Sequence, residues 1–182
     1  MPFFVAIWFT VVVGWLIHVA VDKHPDRRTR HRVVELALLW IMVVGAGIWG
    51  LIGGLSHIGP TSGQTAEQIG YTQSMFQWEV GWGDIAVAVL AIGCAWRRLR
   101  GTWLTAAVTA LAISFWGDAW GHFNQWVFHG NTAPANTWAL PSDILMPLLA
   151  VILLVMYRRG APAADAAAIT ARDGLRTGPA PR

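Results

Sequence analysis

Five stretches of the chain are apolar almost without interruption, and short polar segments separate them: residues 3–21, 34–53, 75–96, 103–126 and 141–157. A bilayer core of about 30 Å is crossed by about 20 apolar residues in a helix, so the pattern predicts an all-α polytopic bundle of five transmembrane spans over residues 1–158. Residues 159–182, rich in Ala, Pro and Gly with scattered charge, read as a disordered cytoplasmic tail. The first stretch has neither a positive leader nor a small-residue cleavage site before DKHPDRRTR, so it is expected to remain as a first helix.

Composition supports a membrane setting, with 55% hydrophobic and only 13% charged residues in 182. Charge placement then gives orientation. Lys23, Arg27, Arg28, Arg30 and Arg32 separate the first two spans, and Arg97, Arg98 and Arg100 the third and fourth. Arg158, Arg159, Arg172, Arg176 and Arg182 follow the fifth. The stretches 54–74 and 127–140 contain no Lys or Arg. The positive-inside rule therefore predicts an external amino terminus, a cytoplasmic carboxy terminus and residence in the plasma membrane. Basic residues confined to three juxtamembrane clusters fit anionic lipid headgroups and argue against nucleic acid as a partner. Trp78, Trp126 and Trp138 are expected at the outer interface and Trp40, Trp96 and Trp103 at the inner one. Cys94 is the single cysteine, which excludes an intramolecular disulfide and a CxxC motif.

The candidate chemistry lies in FWGDAWGHFNQW, residues 115–126. Ionisable groups inside a span are costly unless they face protein or water. At about 100° per residue, Ser114, Asp118, His122 and Gln125 share one helical face, which predicts a polar stripe turned into the bundle. The preceding span offers Gln77, Glu79 and Asp84, and an antiparallel register sets Glu79 level with His122 and Asp84 level with Asp118. Gly117 and Gly121, with Gly81 and Gly83 opposite, would let spans three and four approach closely around a polar pocket. Asp118, His122 and Glu79 are a candidate set for a divalent metal ion, and Asp84 beside Asp118 suits proton handling. A secondary outer site could draw on His57, Glu67, His129 and Asp143. Ser142 and Asp143 after Pro141 read as the first turn of span five, with Pro147 kinking it. His18 and Glu35 read as a snorkelling surface pair beside the basic loop.

Three functions fit these residues: a small transporter or sensor for a proton, ion or metal, a non-catalytic interaction subunit whose polar network is structural, and an intramembrane metal-dependent enzyme. A homo-oligomer or another membrane protein is an open partner. FQWEVGWGD, GHFNQ and SDILMPLL together resemble a family of small bacterial integral membrane proteins that carries no assigned function. The resemblance covers about residues 75–155 and rests on Phe76, Gln77, Glu79, Val80, Gly81, His122, Asp143 and Pro147. Family members more usually place Asn near Asp84. The resemblance implies a membrane protein and no particular substrate.

Overall fold

A computed structural model describes residues 2–160, all-α among those residues. Helix α1 spans Pro2–Val21. Thr29 then caps α2 (Arg30–Leu39), its hydroxyl accepting the Arg32 backbone N–H at 3.2 Å. Helix α2 runs without a break into a π-helical segment, Trp40–Trp49, and on into α3 (Gly50–Ile58), forming one rod of 29 residues. A short helix, α4 (Ser62–Ile69), precedes α5 (Phe76–Gly93), and α6 (Thr102–His129) and α7 (Pro134–Arg159) follow. Gly70 and Gly130 close α4 and α6 at φ +80° and +67°, a left-handed geometry that suits glycine.

Three helices are long and apolar enough to cross a membrane: Pro2–Val21, Arg30–Ile58 and Pro134–Arg159. Helices α5 and α6, which carry the polar residues singled out above, fall short on apolarity. The last span begins seven residues earlier than residue 141, because Pro134 occupies the first turn, where its missing N–H leaves nothing unpaired. Ser142 and Asp143 thus lie well inside α7 rather than at its start, with Pro141 and Pro147 both within the helix. Of the predicted tail, only Arg159 and Gly160 fall among the described residues.

The core sits between α2 with the π segment, α5, α6 and α7, where Leu38, Met42, Leu104, Val108 and Leu111 are almost wholly buried with Cys94. The α7 carboxy end returns to the α2 amino end, where Tyr157 stacks on His31 with ring centroids 4.9 Å apart. At this same end Arg32 reaches Asp22 at 2.8 Å and Glu35 at 2.7 Å, and Arg100 reaches Glu35 at 2.6 Å. Glu35 therefore bridges two arginines and does not pair with His18, whose Nδ1 accepts the Trp40 indole N–H at 3.1 Å. Trp78, Trp96, Trp126 and Trp138 are exposed. Trp40 and Trp103 instead pack inward, Trp40 against Gly14 and Trp103 against Gly93.

The closest helix approach also differs from the predicted one. A Cβ built on Gly117, Gly121 or Gly83 would meet nothing within 4 Å, so the GxxxG pair holds no helix close. The tight crossing joins α3 to α5, where a Cβ on Gly81 would stand 2.8 Å from the Gly54 carbonyl oxygen and 2.9 Å from His57 Cβ. Accordingly α5 packs mainly on α3 and the π segment, while α6 packs mainly on α7. Between these two layers, at the end away from the arginines, the bundle opens.

Candidate functional site

The opening is a cavity of about 590 Å³. It is walled by the start of α1, the π segment, α3 and α5 on one side and α6 and α7 on the other, and α4 with Tyr71 lies across it. It is broader than a cleft between spans three and four, because the close-packed neighbour of α5 is α3. Gln77, Val80, Asp84 and Val87 face it from α5, spaced three and four residues apart as one helical face requires. Asp118 and His122 face it from α6, one turn apart, with Gly117 and Gly121 giving up side-chain volume beside them. Ser142 and Asp143 face it from α7.

Glu79 stands on another face of α5, exposed and away from the cavity, so it does not join Asp118 and His122 in a metal set. The 140° between positions 79 and 84 decides this: once Asp84 points inward, Glu79 cannot. Ser114 and Gln125 are half-buried but do not line the cavity. In the secondary outer set, His57 and Asp143 enter this same cavity, whereas His129 and Glu67 are exposed outside it. Among the described residues, no three His, Cys, Asp or Glu side chains come together as a metal-holding group.

Two hydrogen-bonded pairs anchor the walls. The Gln77 side-chain amide lies 2.7 Å from His57 Nδ1, tying α5 to α3 beside the Gly54–Gly81 crossing. The Trp8 indole N–H donates to Ser142 Oγ at 3.0 Å, tying α1 to α7. His122 is held more elaborately. Asn136, fully buried, donates its amide to the His122 and Asn131 carbonyls at 3.2 and 3.1 Å. Its Oδ1 is left to accept from His122 Nδ1, 2.8 Å away, which assigns the proton to Nδ1. His122 Nε2 then points at Asp143 Oδ2 across 3.9 Å, too far for a direct hydrogen bond.

With His122 neutral, a lone pair on Nε2 faces a carboxylate. The gap therefore calls for a proton, a bridging donor or a cation. Tyr71 stacks on His122, centroids 6.4 Å apart, and closes this corner. Burial, and then the charge of Asp118, hold the Tyr71 hydroxyl above the ordinary tyrosine range. Tyr71 and Asn136 went unread in the sequence, because both lie in segments taken for loop, and Ser142 was read only as part of a helix start. Pro134, suited to a helix's first turn, was the available signal that Asn136 lies within the helix.

Residues 1–163 match a family of unknown function, DUF6790. The chain belongs to this family. The match spans the whole of the described bundle, so the cavity lies wholly within family sequence. No curated protein and no solved structure matches the chain.

Proposed function

We propose that this member of the family is a five-span plasma-membrane protein, amino terminus outside and carboxy terminus cytoplasmic, whose outer cavity holds exchangeable positive charge as a small transporter or sensor. The supporting observation is the imbalance of the cavity's lining: Asp84, Asp118 and Asp143 arrive from three helices, against two imidazoles and no Lys or Arg. Three like charges in one low-dielectric enclosure repel, so protons or a cation must offset them. A purely structural network would pair its carboxylates with donors. Asp84 and Asp118 instead have no hydrogen-bonded or ion-paired partner among the described residues, and Asp143 has only the distant imidazole.

The five-span topology draws support from the five long helices and from the ten described basic residues, all in segments at the end opposite the cavity. The metal-enzyme reading loses its third ligand with Glu79. The test is flux in liposomes reconstituted with purified protein: an imposed sodium or pH gradient should dissipate faster than in empty vesicles, and Asp118→Asn should abolish the difference. Vesicles that stay as tight as empty ones with either gradient would favour the interaction-subunit reading.

A further inference from the structure

We propose that the occupant of the cavity is a small primary organic ammonium ion with an apolar or aromatic body; this rests on the cation-handling reading above. Three features of the cavity point the same way. Its volume, about 590 Å³, falls in the range of pockets that enclose organic ligands and far exceeds what one dehydrated metal ion fills. The oxygen-rich, closely spaced shell that a bare ion needs is also missing among the described residues.

The lining mixes two chemistries. Aromatic rings from Phe3, Phe4, Trp49 and Phe115 share it with the carboxylates of Asp84, Asp118 and Asp143. That combination suits a molecule with an apolar body and a cationic head, to which ring faces add attraction. The 3.9 Å gap between His122 Nε2 and Asp143 Oδ2 presents two acceptors to one space. The Asp143 side chain is only 13% exposed and receives no hydrogen bond from any described residue. A primary ammonium carries three N–H donors, enough to satisfy Nε2 and the carboxylate together, whereas a sodium ion offers none and an alcohol only one.

The experiment uses the full chain in detergent or nanodiscs. Tryptophan fluorescence is a built-in reporter, since Trp49 lines the cavity, and thermal unfolding gives a second readout. The probes are 2-phenylethylammonium chloride, its neutral counterpart 2-phenylethanol, tetramethylammonium chloride, and sodium chloride at matched ionic strength. The expected result is saturable binding of 2-phenylethylammonium at least tenfold tighter than that of the alcohol or of tetramethylammonium, weakened at least tenfold by Asp118→Asn. Gly121→Leu supplies a variant that folds, since its side chain enters open space; it should exclude the phenyl probe while leaving the unfolding temperature near that of the parent. Equal binding of alcohol and ammonium, or undiminished phenylethylammonium binding in Gly121→Leu, would overturn the proposal. Sodium or proton flux without any ammonium binding would overturn it too, and would leave the cation-handling reading standing. Absence of both flux and binding would remove both.

Discussion

Glycine is the residue on which sequence and structure part most clearly. Gly117 and Gly121 have the spacing of a helix-packing motif, yet both face empty space, while Gly54 and Gly81, on two different helices, make the real close crossing. Spacing along one helix does not say which neighbour lies opposite, and that is why the motif misled. Substitution at the two sites should separate the cases. Gly121→Leu should leave stability within about 1 kcal/mol of the parent, since a helix interior favours Leu over Gly and nothing is displaced. Gly81→Val should cost about 1–3 kcal/mol or more through overpacking against the Gly54 carbonyl and the His57 side chain. Denaturation in detergent, followed by circular dichroism, checks both, and equal tolerance would contradict the α3–α5 crossing. Asp84, Asp118 and His122 were legible as inward-facing residues because burying a charge in a span demands a reason. Glu79 was misassigned because two carboxylates five positions apart cannot share one helical face, and the sequence does not say which of the two turns inward.

Helices were read well as stretches of apolar sequence and less well at their ends. The early start of α7 hid Asn136, although Pro134 marks that start by the ordinary preference for proline in a first turn. Asn136→Leu should leave the His122 ring without its fixed partner and the Asn131 carbonyl unpaired, costing about 1–3 kcal/mol. Histidine NMR should then show the Nδ1–H tautomer of His122 no longer dominant; an unchanged spectrum would contradict the Asn136 contact. At the opposite end, the ion network joins the α1–α2 connection to the approach to α6. Glu35→Gln removes the carboxylate shared by Arg32 and Arg100 and should destabilise, though by less than the ~3–5 kcal/mol of a fully buried pair, since each arginine keeps another partner.

Asp22 adds a pH signature to that network. Its hydrogen bond to Arg32 holds the carboxyl down to about 2 from the ordinary 3.8. A carboxyl depressed in the folded state stabilises it above the ordinary value, and that contribution drains away as pH falls from about 4 through about 2. Asp22→Asn should flatten this part of the acid-unfolding curve, and a superimposable curve would show that the Arg32 contact does not persist in solution.

For the whole molecule, orientation is the property that charge placement carries most directly. Reporter fusions after Arg28 and Arg98 should score cytoplasmic, and fusions within 60–70 and near Asn131 external; an external signal after Arg98 would overturn the proposed five-span topology. What the sequence could not convey is the layering, with α5 against α3 and α6 against α7 and the cavity between. That layering also bears on how the chain enters the bilayer. Helices α1, Arg30–Ile58 and α7 are long and apolar enough to cross a membrane, whereas α5 and α6, which carry Asp84, Asp118 and His122, are not. Their polar faces become tolerable only once they have walls to line. Biogenesis should therefore be cooperative: the α5–α6 hairpin, expressed alone between reporter domains, should insert poorly, and co-expression of residues 2–58 should rescue it.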